Sequence, residues 1–220
     1  MDGPEVEPSI YAADFADLGL QLRSLLDAGA RVFHFDIGDG HFIEEITIGP
    51  IVLRSIARLV HERGGVLDCH LMVSEPERHF DSVKAAGGDS VTFHVEVAAD
   101  PSGTIDRARS LGFGVGVACN PETPVERLAE AAAGADVALC MSIHPGLSGQ
   151  AFMPEALDRI AALRRLLPAA VRVQVDGGVS RENARAVHET GADLLVAGSA
   201  IFWQSDPGAA YRSLGEAVRG

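Results

Sequence analysis

The chain has 220 residues, 47% of them hydrophobic, and a formal net charge of −13 at pH 7. This length is sufficient for one large domain with its own core, and the negative charge disfavours binding to nucleic acids or to anionic membranes. The sequence lacks both a run of about 18 apolar residues and an N-terminal signal pattern, so we predict no membrane-spanning helix and no secretion. The cysteines Cys69, Cys119 and Cys140 are odd in number and widely spaced, which favours a reducing compartment, and we expect a cytoplasmic protein.

Segments with the character of β-strands alternate with helical patterns along the chain. The predicted strands cover residues 5–10, 31–37, 66–72, 90–96, 114–119, 137–143, 171–176 and 194–198. This alternation predicts a mostly parallel sheet with right-handed crossovers. An open, doubly wound sheet is disfavoured because a Gly-x-Gly-x-x-Gly turn does not follow the first strand. We therefore predict one (β/α)8 barrel (TIM barrel) over residues 1–220, with residues 1–4 as a short flexible N-terminus.

Short sequence signals predict where several helices begin. They include proline at a first helical position, side chains that can cap a helix, and pairs with capping-box spacing. These signals are Asp14, Pro50, Ser74 with Glu77, Thr123 with Glu126, Ser180, and Asp206 with Pro207. We expect a helix to begin at each of these positions.

The second predicted strand carries the first chemical signal. His34 and Asp36 lie on one of its faces, whereas the other face, which includes Phe33 and Phe35, is apolar. A buried carboxylate is costly unless a partner compensates its charge. The pair therefore has two interpretations at this point: part of a metal site, or a neutral histidine hydrogen-bonded to a core aspartate.

Polar side chains recur on the same face of other strands. In a barrel, the inward-facing residues near the C-terminal ends of the strands form the active site. By alternation along each strand, the inward polar residues are Ser9, His34, Asp36, Asp68, His70, Thr92, His94, Glu96, Ser142, Gln174 and Asp176. Ionisable groups that converge from several strand ends predict a catalytic site.

Glycine-containing turns follow the last three predicted strands. They are residues 146–149 (Gly-Leu-Ser-Gly), Gly177-Gly178 and Gly198-Ser199. Glycine lets backbone N–H groups approach an anion, and a short helix from Ser199 would direct its positive end inward. Phosphate sites after strands seven and eight recur in such barrels. We predict a phosphate-binding site here, one that needs neither lysine nor arginine.

The motifs at these positions resemble those of the ribulose-phosphate 3-epimerase family. The resemblance runs in family order from about residue 7 to 203. The motifs are Pro8-Ser9-Ile10, His34-x-Asp36-x-Asp39-Gly40-His41-Phe42, Ile46-Thr47-Ile48-Gly49-Pro50, Asp68-Cys69-His70-Leu71-Met72, Met141-Ser142-x-x-Pro145-Gly146, Val175-Asp176-Gly177-Gly178 and Val196-Ala197-Gly198-Ser199-Ala200-Ile201-Phe202.

The resemblance implies a metal-dependent ketose-phosphate 3-epimerase that interconverts ribulose 5-phosphate and xylulose 5-phosphate. It implies one divalent ion (Zn, Fe, Mn or Co) held by His34, Asp36, His70 and Asp176, with Asp36 as the base and Asp176 as the acid. It also implies a homo-oligomer. The residues expected to bind the substrate are Ser9, His70, Met72, Met141, Gly146, Leu147, Ser148, Gly149, Gly177, Gly178, Gly198 and Ser199.

Two departures from the family pattern leave the preferred sugar open. Gly38 stands where the family has methionine, and Glu44-Glu45 stand where Pro-Asn is typical. If adjacent residues fill the gap, Gly38→Met should be nearly silent. If the gap instead opens space or admits water, the substrate is expected to differ, for example a six-carbon ketose phosphate.

Two further functions are weighed against epimerisation. Related barrels that perform decarboxylation or aldol chemistry usually need a lysine at a strand end, but the only lysine, Lys84, lies in a predicted helix. A non-catalytic phosphosugar-binding protein would be expected to lack the acid–base pair, whereas both Asp36 and Asp176 are present. His94 faces inward but is outside the implied ligand set, so we expect it to support the site or belong to the core.

Overall fold

Eight parallel strands form the centre of the computed structural model, which describes residues 3–220. Met1 and Asp2, half of the predicted flexible N-terminus, lie outside the described residues. The strands are β1 (Glu5–Pro8), β2 (Val32–Gly38), β3 (Val66–Met72), β4 (Ser90–His94), β5 (Gly114–Cys119), β6 (Val137–Met141), β7 (Arg172–Asp176) and β8 (Leu194–Ala197). Each overlaps a predicted strand.

The strands pair in sequence order around a ring. Hydrogen-bonded neighbours run β1-β8-β7-β6-β5-β4-β3-β2, and every pair is parallel. A parallel bridge between Ser9 and His34 joins β1 to β2 and completes the circle. The predicted (β/α)8 barrel is thus confirmed.

Helices follow the strands and cover the outside of the barrel. They are α1 (Leu18–Asp27), α2 (Pro50–His61), α3 (Glu77–Ala86), α4 (Pro101–Ser110), α5 (Val125–Ala131), α6 (Ala156–Leu166), α7 (Ala184–Glu189), α8 (Ser199–Phe202) and α9 (Pro207–Arg219). Within residues 3–220, none of them is both long and apolar enough to cross a membrane.

The main hydrophobic core lies between the outer face of the sheet and these helices. Phe33 and Phe35 are fully buried in it, because alternation along β2 directs both outward into this core while their neighbours face the barrel axis. Cys69, Cys119 and Cys140 are also buried, and all three are free thiols.

The helix starts predicted at Pro50 and at Asp206-Pro207 are correct. Pro50 begins α2, and the Asp206 carboxylate accepts a hydrogen bond from the Ala209 N–H at the start of α9. Other starts are wrong by a few residues: α1 begins at Leu18 after Asp17, and α7 begins after Asn183.

Two predicted capping boxes do not form. The Ser74 hydroxyl donates to the Asp39 carboxylate at 3.0 Å, and α3 begins at Glu77 without a side-chain cap. The Thr123 hydroxyl donates to the Glu96 carboxylate, and α5 begins at Val125. In both cases a carboxylate from a distant loop binds the hydroxyl that was expected to cap the helix.

Candidate active site

The four predicted ligand side chains converge inside the C-terminal end of the barrel. Asp36 and His70 are register partners on β2 and β3, and His34 lies one inward position below Asp36. Asp176 ends β7. Their donor atoms all lie within 4.8 Å of one another.

Two imidazoles share both carboxylates in this cluster. The Asp36 Oδ1 atom lies 3.2 Å from His34 Nε2 and 3.0 Å from His70 Nδ1. The Asp176 Oδ2 atom lies 3.9 Å from the first nitrogen and 3.8 Å from the second. The Ser9 hydroxyl donates a hydrogen bond to Asp36 Oδ2 at 2.6 Å, so the carboxylate is also held through its second oxygen.

Asp68 fixes the orientation of the His34 ring. Its Oδ1 accepts a hydrogen bond from Ser90 at 2.5 Å, and its Oδ2 accepts one from Gln174 at 3.1 Å. Burial raises the pKa of Asp68, but the bonds from His34, Ser90 and Gln174 outweigh it and lower the pKa overall. An ionised carboxylate can only accept, so His34 Nδ1, 3.0 Å away, is the donor.

When the His34 ring is neutral, its lone pair is therefore on Nε2. This buried atom forms no hydrogen bond among the described residues, although Asp36 Oδ1 lies 3.2 Å away. Burial opposes a positive charge here, but Asp36, Asp68 and Asp176 together raise the pKa of His34 well above its usual value. The carboxylates of the cluster therefore favour a positive charge at its centre. A divalent cation can supply this charge, because two carboxylates balance it and because imidazole and carboxylate are common ligands of transition metals.

The pKa values of the two carboxyl groups, Asp36 and Asp176, are shifted in opposite directions. Although burial raises the pKa of Asp36, contacts with His34 and His70 lower it far below the usual range. Burial and the neighbouring Asp36 charge raise the pKa of Asp176 to about 7. One group is therefore a proton acceptor at neutral pH, and the other can still hold a proton.

A cavity opens from this cluster to solvent, with about 510 Å³ of unfilled space including its mouth. Apart from His70, which lies behind Asp36, every residue predicted to bind the substrate lines it. Sequence reasoning missed other lining residues, among them Tyr11, Ile143 and Val196. Ile143 continues the inward alternation of Leu139 and Met141, so parity could have identified it.

Ser142 was wrongly placed among the inward side chains. The inward face of β6 is apolar and continues through Ile143. The Ser142 hydroxyl instead donates to the backbone oxygens of Asp176 and Gly177, at 2.9 and 2.7 Å, and so fixes the end of β7.

The turn after β7 requires glycine at both positions. Gly177 and Gly178 have φ angles of 123° and 63°, in the left-handed region that other residues rarely adopt. A Cβ on Gly177 would lie 2.8 Å from the Ile143 nitrogen, and one on Gly178 would lie 2.7 Å from the Phe152 Cα. Both glycines are therefore required for the close packing of this turn against Ile143 and Phe152, and both line the cavity.

The gap expected at Gly38 is filled by nearby side chains. A Cβ built there would lie 2.5 Å from Ile43 Cδ1, 3.0 Å from Thr47 Cγ2 and 3.1 Å from the Glu45 carbonyl oxygen. Of the two alternatives for Gly38, the structure agrees with the one in which adjacent residues fill the gap, because Ile43, 6% exposed, packs over the end of β2. The Thr47 hydroxyl oxygen also accepts a hydrogen bond from the Gly38 N–H at 2.6 Å, a contact that its place in the sequence motif did not reveal.

We expect Gly38→Met to destabilise the protein rather than to be silent. Overpacking of a filled site costs about 1–3 kcal/mol. Urea unfolding would measure the loss, with Gly134→Met as the control because Gly134 has open space around it. The double variant Gly38→Met, Ile43→Ala should lose less than the sum of the single losses; strict additivity would contradict this account of the packing.

Comparison with known proteins identifies the family. The model of the ribulose-phosphate 3 epimerase family matches residues 5–202. The ribulose-phosphate 3-epimerase of Escherichia coli K12 is 40% identical over 204 residues, covering 91% of this chain and 90% of that protein. The enzyme of that name from Eremothecium gossypii is 38% identical over 211 residues, covering 92% and 88%.

Solved structures of proteins with other names also resemble this chain, but at low sequence identity, so they show only that the fold is shared. Orotidine 5'-phosphate decarboxylase from Pyrococcus horikoshii superimposes with a TM-score of 0.73 at 16% identity, covering 98% of this chain and 99% of that one. The match to the family model and to these relatives covers nearly the whole barrel and its cluster of histidines and aspartates. The chain therefore belongs to the ribulose-phosphate 3-epimerase family.

Proposed function

We propose that this protein is a metal-dependent 3-epimerase that interconverts ribulose 5-phosphate and xylulose 5-phosphate. The observation that carries the proposal is the pair Asp36 and Asp176, which reach one centre from β2 and β7 and differ in proton affinity. The relatives at 38–40% identity bear the name of this activity.

Inversion of a carbon next to a ketone requires removal of its proton from one face and delivery of a proton to the other. Asp36, ionised and held by Ser9, is suited to remove the proton. Asp176, with its raised pKa, is suited to deliver one. In the reverse direction the two groups exchange roles.

The residues proposed to hold the divalent ion are His34, Asp36, His70 and Asp176. When bound, the ion would act as a Lewis acid that stabilises negative charge on the substrate oxygens. The ligand types suit Zn, Fe, Mn or Co. The buried, partnerless Nε2 of His34 supports this assignment.

The phosphate group is proposed to bind the three glycine turns. Gly146 and Gly149, like the pair after β7, have positive φ angles and line the cavity. Ser199 begins the short helix α8 at the same rim, as predicted. Backbone N–H groups can bind an anion there without a basic side chain, which suits a chain of net charge −13.

The alternative chemistries receive less support. Lys84 donates to the Gly112 carbonyl oxygen and lies over the Phe113 ring, outside the cavity, so it is not placed for decarboxylation or aldol chemistry. A six-carbon ketose phosphate remains the second candidate substrate. The observation behind it is that the Glu45 carboxylate lies against Gly146, so the rim of the cavity differs in charge from one with the family's typical Asn.

A homo-oligomer is also proposed. Ile46 and Ile51, in and just after the loop that leads to α2, each expose 84% of their surface. A contiguous exposed apolar patch marks a contact surface, and these two residues are the ones proposed to contribute to it.

Proton NMR in D₂O with metal-loaded protein would test the reaction. We expect deuterium to enter carbon 3 of ribulose 5-phosphate while xylulose 5-phosphate appears, and a six-carbon ketose phosphate to react more slowly. Faster reaction of the six-carbon sugar would replace the substrate assignment. Failure to exchange deuterium into either sugar would refute the proposed epimerase.

A further inference from the structure

His70 meets a second histidine on the side away from the carboxylates. His70 Nε2 and His94 Nε2 are 2.8 Å apart. The two ring planes are inclined by 23° with centroids 5.0 Å apart, so the rings lie nearly edge to edge. Both residues are fully buried, and the Phe42 ring covers His94 with centroids 4.5 Å apart. Nitrogens this close form a hydrogen bond, in which one ring donates its N–H and the other accepts with its lone pair.

Glu96 determines the direction of that hydrogen bond. Its Oε1 accepts the backbone N–H of Asn120 at 2.8 Å and the hydroxyl of Thr123, which fixes the carboxylate at the end of β4. Its Oε2 lies 3.3 Å from His94 Nδ1. Burial raises the pKa of Glu96, but these bonds outweigh it and lower the pKa to about 2.

An ionised carboxylate can only accept, so His94 Nδ1 must carry a hydrogen. In a neutral imidazole the other nitrogen then has the lone pair. His94 Nε2 therefore accepts, and His70 Nε2 donates to it. In His70 the lone pair is left on Nδ1, the atom that lies 3.0 Å from Asp36 Oδ1 and 3.8 Å from Asp176 Oδ2.

We propose that His94 and Glu96 are positioning residues that fix the tautomer of His70, so that its Nδ1 lone pair faces the cation site. The inference rests on the proposed metal centre and assigns to it a chain of supporting groups from β4 and the turn after β5. Asp68 orients His34 directly, whereas Glu96 orients His70 through an intervening ring. The tautomer of each imidazole at the site is thus determined by a different carboxylate, that of Asp68 for His34 and that of Glu96 for His70.

The variant Glu96→Gln tests this chain of tautomers. The Gln oxygen would stay with the Asn120 N–H, so its NH₂ group would face His94 Nδ1. His94 would then donate from Nε2, and His70 would carry its hydrogen on Nδ1, toward the carboxylates. We expect the affinity for Co²⁺ to fall about 10–100-fold, the usual effect of losing a group that orients a metal ligand.

To measure the affinity, the protein would first be freed of metal with a chelator. Co²⁺ would then be added stepwise while its visible absorption is followed. Glu122→Gln is the matched control, because the Glu122 carboxylate also binds a histidine, His144, but on the exposed surface. It should bind Co²⁺ as the wild type does. Equal affinity of Glu96→Gln and wild type would overturn the positioning role alone, whereas absence of Co²⁺ binding by wild type would overturn the metal centre as well.

Long-range ¹H–¹⁵N NMR of the wild-type protein provides a test without a variant, in case Glu96→Gln does not fold. The spectrum reports which nitrogen of each imidazole bears hydrogen. We expect hydrogen on Nδ1 of His94 and on Nε2 of His70. Hydrogen on Nδ1 of His70 would overturn the inference.

Discussion

Replacement of Asp176 by Asn is expected to lower kcat for ribulose 5-phosphate by about 10²–10⁴-fold, the usual contribution of a positioned proton donor. The amide has nearly the shape of the carboxyl group but cannot release the proton that the reaction needs. Burial and Asp36 raise the pKa of Asp176 to about 7, so it can hold that proton at neutral pH. Steady-state kinetics and deuterium entry at carbon 3 would measure the loss.

The control for this experiment is Asp158→Asn, which removes the same charge from the exposed surface of α6 and should leave kcat unchanged. Because Asp176 also belongs to the proposed cation site, rates must be compared at equal metal content. A loss smaller than tenfold under those conditions would remove Asp176 from the role of proton donor.

The variant Glu7→Gln is expected to stabilise the metal-free protein at alkaline pH. Glu7 is 2% exposed on β1 and accepts a hydrogen bond from Gln174. Burial is the main cause that raises its pKa from 4.5 to about 8, and the nearby Asp68 adds to the effect. The folded protein therefore keeps a proton that the unfolded chain releases between these values.

The free energy of unfolding of the wild type should accordingly fall as pH rises from 4.5 to 8. At about 1.4 kcal/mol per pKa unit, this residue contributes a loss on the order of 5 kcal/mol. Gln is neutral throughout this range and can keep the bond to Gln174, so the variant should lack this part of the pH dependence.

Urea unfolding at several pH values, with EDTA in all samples, would measure this difference. Glu216→Gln, an exposed change on α9, is the control and should follow the wild type. Parallel pH profiles for wild type and Glu7→Gln would show that Glu7 does not retain its proton in the folded state.

The barrel could be predicted because its signal is carried by short, local patterns. On β2, Phe33 and Phe35 face one way and His34 and Asp36 the other, and that alternation is the same in sequence and in space. The convergence of Asp36 with Asp176 follows once the ring is assumed, since strand ends meet at one mouth.

What could not be predicted depends on partners distant in sequence. Ser74 satisfies capping-box spacing, but its hydroxyl binds Asp39 from another loop. The space beside Gly38 is filled by Ile43, whose position depends on how the loop after β2 folds back. His94 was only classed as a supporting or core residue, because its contact with His70 is set by the geometry of neighbouring strands.

The pairing of β1 with β2, which closes the barrel, is the shortest of the strand pairings among residues 3–220. Among residues 3–220, β1 has four residues and is linked to β2 through the Ser9–His34 bridge. Ser9 is also the residue that anchors Asp36, at 2.6 Å. We therefore expect local separation of β1 from β2 to release Asp36 from Ser9 while the helices stay folded, at a lower free-energy cost than global unfolding.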